Sequence, residues 1–325
     1  LTVDFRVGNH NIAFRYDIPM QGETAAIVVT GEATGFNLPK GTTTFLSPQC
    51  TPMGGWKRTN PAYEEEYTPD EPIGTPSRYH QGYTFPCLFH EGSNGWVLVS
   101  ETGLDGRYCG SHLSDATSDG LYRIAFPMEG ENNGFGSTGA QFGLPGSTPW
   151  RTITLSEGLA PIVETTVPWD VVDQLYAPNF KYHGGRSTWS WIIWQDASIV
   201  YDDQVAFINL AAELGWEYCL IDGGWETNIG RERMEQLFKL CREKGVAPFV
   251  WYNSNGGWND APQCAKNCMY SPIVRKREMK WLHEHGVKGI KVDFFAGDKQ
   301  ETIKLYEQIL SDANDYDIQV IFHGC

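Results

Sequence analysis

The chain has 325 residues, with 25 Lys+Arg against 40 Asp+Glu, a formal charge of −15 and 41% hydrophobic residues. This is the balance of a folded soluble protein of about two domains at roughly 100–200 residues each. So acidic a surface repels phosphate backbones, which argues against nucleic acid as a partner. No apolar run approaches the ~20 residues of a membrane span, and the chain opens on a strand-like segment, Leu1 to Val7, rather than on a signal peptide.

Residues 1–165 read as a β domain. Short alternating runs recur at Asn11–Tyr16, Ala25–Thr30, Gly95–Ser100, Leu121–Phe126 and Trp150–Leu155, separated by Gly, Pro, Asn and Asp clusters. Many short strands with turn punctuation predict an antiparallel sandwich. Residues 166–184, rich in Pro, Tyr and Gly, read as a linker.

From residue 185 to 325 the pattern becomes strand then helix, repeated. Apolar strands start at Ser187, Glu217, Ala247, Lys288 and Ile318, spacings of 30, 30, 41 and 30 residues that suit βα units. Ser271-Pro272 is a helix-start signal, and Gly286 follows the expected helix end. Leu237, Leu240 and Cys241 share one helical face before Gly245, as do Val205, Ile208 and Ala212 before Gly215. Strands apolar on both faces are those of a buried parallel sheet. Only about five units fit, whereas an eight-stranded (β/α)8 TIM-type barrel needs about 250 residues. The last strand, Val320-Ile-Phe-His-Gly-Cys325, would leave an uncovered edge. The expectation is therefore a partial barrel from a longer polypeptide.

The eight cysteines follow no zinc-ligand grammar, and Cys264 and Cys268, four apart in a loop, suggest a disulfide or two free thiols rather than a metal. Aromatic residues make up 13% of the chain, with 12 Trp. Aromatic faces stack on the apolar faces of sugar rings, but they serve a large core equally well.

In parallel barrels the reactive groups lie at the C-terminal ends of the strands. There the chain offers Trp189 and Trp191 on strand one, Asp222 and Trp225 after strand two, Trp251 and Asn253 on strand three, Lys291 and Asp293 on strand four, and His323 on strand five. Asp222 reads as a loop cap or a binder of sugar hydroxyls ahead of a catalytic group. Lys291 lies two residues before Asp293, on the same side of the strand. If it points inward, its charge keeps the carboxylate ionised, as a nucleophile requires; if outward, it is simply solvated. Trp-lined walls with a carboxylate and hydrogen-bonding Asp and Asn residues describe a sugar site. Glycoside hydrolysis needs a second carboxyl as proton donor, and strands one to five offer no convincing one.

The segments Leu220-Ile-Asp-Gly-Gly-Trp225, Trp251-Tyr-Asn-Ser-Asn255 and Gly289-Ile-Lys-Val-Asp-Phe-Phe295 resemble glycoside hydrolase family 97. So do Ile12-Ala-Phe-Arg-Tyr16, Tyr63-Glu-Glu-Glu-Tyr67 and Ser147-Thr-Pro-Trp-Arg151 in the first half. The resemblance implies a β-super-sandwich joined to a (β/α)8 barrel, with a small β domain to follow. The family's inverting α-glucosidases use glutamate bases at the ends of strands three and five, where this chain has Asn253 and Gly324. Its retaining α-galactosidases carry a nucleophilic Asp at the end of strand four, which matches Asp293. The resemblance therefore implies an exo-acting retaining α-galactosidase, with its acid/base Glu on a later strand.

The resemblance also implies Ca2+ near the sugar site, with one ligand from the Tyr63–Tyr67 segment. Glu64 is the preferred candidate there, against a solvated acidic turn. It further implies α-galactoside oligosaccharide or polysaccharide fragments as substrates and a periplasmic or secreted location in a Gram-negative bacterium. The alternatives are an α-glucosidase of the same family and a non-catalytic carbohydrate-binding protein on a degenerate barrel.

Overall fold

The computed structural model describes residues 1–62, 64–117 and 119–325. They divide into two compact units. The first comprises residues 1–55, 60–176 and 296–304; the second comprises 56–59, 177–295 and 305–325.

The first unit is built on an antiparallel sheet that runs, edge to edge, through Thr2–Val7, Asn11–Ile18, Trp150–Ser156, Trp96–Thr102, Cys87–His90, Thr43–Leu46 and Thr68–Pro72. A smaller antiparallel sheet joins Gly35–Asn37, Leu121–Ala125 and His112–Leu113. Alternation along these strands sends Leu46, Phe89, Val97 and Val99 from the large sheet, and Phe36, Tyr122, Ile124 and Leu113 from the small one, into one core. Two sheets sharing one apolar layer make a sandwich.

The expected linker begins too early. Residues Val167–Val171 form a helical turn, and Val167 is buried against Ala13 and Trp150 with Val171 and Val172 beside it. Its proline suggested a spacer, but Pro is compatible with a helical first turn, and the valines beside it pack on the sandwich.

The first unit also takes in residues 296–304. Glu131 Oε2 accepts the Asp298 N–H at 2.7 Å, Asn132 N–H donates to the Ala296 carbonyl at 2.9 Å, and Lys299 Nζ donates to the Glu129 carbonyl at 2.9 Å. Burial raises the Glu131 pKa and lowers that of Lys299; the attraction between the two works against both shifts.

The second unit holds five parallel strands: β1 (Ser187–Trp189), β2 (Tyr218–Ile221), β3 (Ala247–Asn253), β4 (Gly289–Asp293) and β5 (Gln319–Phe322), each paired with the next. Between them run α1 (Tyr201–Leu214), α2 (Arg231–Lys244), α3 (Pro272–Glu284) and α4 (Gln300–Asp315). Gly215 and Gly245 close α1 and α2 in the left-handed conformation that glycine adopts without strain. Pro272 opens α3 after Ser271, whose side chain makes no capping hydrogen bond.

On α2 the buried face is Met234, Leu237, Phe238 and Cys241, but on α1 it is Gln204, Phe207, Ile208 and Ala211. That face is rotated from the expected Val205, Ile208 and Ala212. The rotation follows Gln204, whose side-chain NH2 donates inside to the Ser190 hydroxyl and the Ser198 carbonyl. All eight cysteines are free thiols, so Cys264 and Cys268 form no disulfide. No helix among the described residues is long and apolar enough to cross a membrane.

Candidate active site

Alternation along β4 places Gly289, Lys291 and Asp293 on one side. At the start of the strand only glycine fits, because a Cβ on residue 289 would lie 2.0 Å from the Phe249 ring. At its end, Asp293 is 3% exposed and Lys291 5%. Lys291 therefore points inward. Its ammonium lies 3.0 Å from Asp222 Oδ2, 3.7 Å from Asp293 Oδ2 and 4.5 Å from the centroid of the Trp189 ring.

The Asp293 carboxylate is held by four elements of its surroundings. Oδ2 accepts from the Trp251 indole N–H at 2.9 Å and the His323 Nδ1–H at 3.1 Å, and Oδ1 accepts the Phe294 backbone N–H at 2.8 Å. Burial alone would raise its pKa. The His323 hydrogen bond and charge, the Lys291 charge and the Trp251 hydrogen bond outweigh burial, so the pKa falls below the ordinary carboxylate value. The group stays ionised in a largely dry place, as a nucleophile must.

Gly324, after β5, has φ +58, and a Cβ there would lie 2.7 Å from Asp293 Oδ1 and 3.0 Å from the Phe294 nitrogen. With the carboxylate so placed, position 324 has no room for a side chain.

Asp222, 5% exposed, is fully committed. Its Oδ1 accepts the N–H of the next residue, Gly223, at 2.6 Å, and its Oδ2 accepts Trp189 Nε1–H at 2.6 Å besides Lys291. Trp189 thus orients a carboxylate with its edge while its ring carries Lys291 and the stacked ring of Trp191, 5.6 Å away at 17°.

Several expected wall residues are elsewhere. Trp191 is not on β1 but opens a short helical turn, Trp191–Trp194, and its indole N–H donates to Asp196 at 2.8 Å. Trp225 is completely buried. It donates to the Trp251 carbonyl at 2.8 Å and stacks on Trp281, so it is core and not a sugar platform. Trp251 is 1% exposed and holds Asp293 instead of lining a cleft. Asn253 is buried, and its side-chain amide is exchanged with Asn259 at 3.0 and 3.3 Å, which fixes the loop after β3. The sequence pattern identifies strand ends but does not distinguish residues that face a ligand from those that support it.

Two aromatic residues escape that reading. Phe294 takes a left-handed backbone, φ 65, and its ring lies 5.8 Å from Trp251. Trp56, from a short strip of the β half that belongs to the second unit, lies 6.0 Å from Phe294 and is 52% exposed. No local signal marks Trp56, because its ring partner, Phe294, comes from a distant part of the chain just after β4.

Among the described residues no group of three or more His, Cys, Asp and Glu could hold a metal ion. Glu64 and Glu66 are exposed, while Glu65 accepts from Cys50 Sγ at 3.4 Å and the Tyr79 hydroxyl at 2.8 Å. Tyr63 of that motif lies outside the described residues.

Two family models match the chain. The model for the glycosyl-hydrolase 97 N-terminal domain matches residues 1–173, and the glycoside hydrolase 97 model matches residues 182–325. A solved structure of a beta-arabinopyranosidase is 60% identical with a TM-score of 0.96, over 99% of this chain and 51% of that one. A probable retaining alpha-galactosidase of Streptomyces bingchenggensis is 26% identical over 98% of this chain and 46% of its own length. A retaining alpha-galactosidase of Bacteroides thetaiotaomicron is 23% identical over 99% and 50%. The chain spans about half the length of the curated relatives it matches.

Proposed function

We infer the function from one premise: this chain belongs to glycoside hydrolase family 97. The reading is a retaining exo-glycosidase in which Asp293 is the nucleophile. The observation that carries it is the Asp293 carboxylate, buried at the end of β4 and kept ionised by His323, Lys291 and Trp251. Oδ2 collects these donors, while Oδ1 accepts only the Phe294 amide among the hydrogen bonds of the described residues and keeps a lone pair for bond formation. Oδ1 attacks the anomeric carbon, the glycosidic bond breaks, and its electron pair leaves on the aglycone oxygen. That oxygen takes a proton from the acid/base carboxyl. Water, deprotonated by the same group, then releases the sugar with its original configuration. The reading assigns the acid/base to a glutamate on a later strand of the family's barrel, about 5–5.5 Å from Asp293.

An inverting mechanism with bases at strands three and five is disfavoured. Asn253 is tied into its loop, and residue 324 has no space for a carboxylate. This also sets aside the α-glucosidase alternative.

The sugar is a terminal pyranoside of galacto configuration, and we place β-arabinopyranosides ahead of α-galactosides. β-L-Arabinopyranose has the ring stereochemistry of α-D-galactopyranose without its hydroxymethyl group, so one site can take both. The order rests on the 60% identity to the beta-arabinopyranosidase, against 26% and 23% to the alpha-galactosidases. Calcium and a periplasmic or secreted location come into this reading from family resemblance alone, and no step is derived through the ion.

Asp293→Asn in the full-length protein should lower turnover of both aryl glycosides on the order of 10⁴-fold or more. Asp293→Gly with azide should yield the glycosyl azide of inverted anomeric configuration. Full activity in Asp293→Asn would point to the carbohydrate-binding or another catalytic reading. A higher kcat/KM on the aryl α-galactoside would reverse the order of sugars.

A further inference from the structure

We propose that Trp56 is the stacking platform for the second sugar ring, the pyranose on the leaving-group side of the bond to be cut. The inference rests on the glycosidase reading above and adds to it the residue that recognises the aglycone.

Four observations carry it. First, Trp56 is continuous with the nucleophile. Trp251 donates to Asp293, its ring meets Phe294 at 5.8 Å, and Phe294 meets Trp56 at 6.0 Å. The outermost of the three is thus displaced from Asp293 by two intervening aromatic rings, Trp251 and Phe294, which sets it beyond the reach of the sugar under attack. Second, exposure rises along this series. Trp251 is 1% exposed, Phe294 is half-buried and Trp56 is 52% exposed. Only the last has a face open to a ligand.

Third, the strip is pinned. The Arg58 guanidinium makes a two-pronged contact with Asp260 at 2.6 and 2.9 Å, the Lys57 carbonyl accepts the Asp260 N–H at 2.8 Å, and the Thr59 hydroxyl donates to the Trp56 carbonyl at 2.7 Å. Fourth, Lys57 and Arg58 both adopt left-handed backbone, φ 50 and 56, which side-chain-bearing residues seldom do. Strain of this kind persists where the surroundings over-determine it, and it gathers at binding sites. A large aromatic residue held in the open by a fixed fork and a strained backbone is a preorganised surface. The ligand class follows from its chemistry. A flat indole face beside a carboxylate nucleophile suits the C–H face of a neutral pyranose, and the chain's charge of −15 disfavours an anionic leaving group.

The test compares two substrates with the same terminal sugar in the full-length protein: a methyl glycoside, and a disaccharide whose second ring is a pyranose. Trp56→Ala should lower the ratio of kcat/KM for the disaccharide to that for the methyl glycoside about tenfold, mainly through KM, and Trp56→Phe should restore most of it. Calorimetry in the Asp293→Asn background should give the same weakening for the disaccharide. An unchanged ratio, or an equal loss on both substrates that Phe fails to restore, overturns the inference while leaving the glycosidase reading standing. If the unsubstituted protein cleaves and binds neither glycoside, the reading falls and the inference with it.

Discussion

Each unit buries one cation between two carboxylates, and the two arrangements differ in kind. In the first, Arg151 is fully buried. Its Nε and one terminal nitrogen hold Glu32 at 3.2 and 2.6 Å, while the other terminal nitrogen holds Glu101 and the Ser111 hydroxyl. A planar fork matched to carboxylates leaves little to rearrange. In the second, Lys291 is a point charge shared unequally, 3.0 Å from Asp222 and 3.7 Å from Asp293. Asp293 also takes an imidazole contact, from His323, whose side chain is 40% exposed. The closed cluster holds a sandwich together, whereas the looser one keeps a carboxylate charged and available. Equal burial and equal charge count do not imply equal purpose; donor geometry separates them.

Four substitutions test this contrast. Arg151→Ala should cost about 3–5 kcal/mol of folding stability, because two buried carboxylates lose their partner; urea titration measures it. A loss below 1 kcal/mol would mean that water replaces the fork, and the contrast would fail.

Lys291→Met should act on rate besides any loss of stability, lowering kcat/KM on the order of 10²-fold, as the loss of one preorganised electrostatic partner does. It should also move the acid limb of the pH profile upward. Without the cation the Asp293 pKa rises, and a higher pH is needed to ionise the carboxylate. An unmoved acid limb would separate Lys291 from Asp293.

His323→Ala should shift the same limb in the same direction, with a loss of about tenfold or less at neutral pH. The sign carries over to stability. The folded pKa of Asp293 lies below the ordinary value, so its pairing contributes fully above that ordinary range. The contribution is lost only as pH falls through the folded pKa. Acid titration of unfolding free energy should therefore be shallower in His323→Ala at the lowest pH values.

Smallest of all, Lys280→Ala removes an exposed pair with Glu284 one helical turn away and should leave the melting temperature unchanged. A measurable drop would show that exposure is a poorer guide to importance than the contrast assumes.

Much of the architecture was legible in the sequence, for reasons that lie in local periodicity. Alternation marked Asn11–Tyr16 and Trp150–Leu155 as strands, and both lie inside the large sheet, paired with each other. Apolar runs ending in Asp or Asn marked the parallel strands, and β3 follows the expected Ala247–Asn253 bounds. Glycines after α1 and α2 marked their ends. These are properties of neighbouring residues, and a linear reading reaches them.

The site was only partly legible. Asp293 and Lys291 were identified because two residues along a strand is a local relation. The division of the tryptophans was not, since Trp189, Trp225 and Trp251 differ in what meets their N–H groups: Asp222, the Trp251 carbonyl and Asp293, lying 33, 26 and 42 positions away. Trp56 joined the second unit through an ion pair spanning 202 positions, between Arg58 and Asp260. The sequence by itself determined the succession of parallel strands in the second half, the family and the presence of a carboxylate at the end of β4. Only tertiary structure decided which aromatic residues are exposed and which support the charge, because that depends on packing partners brought together by folding.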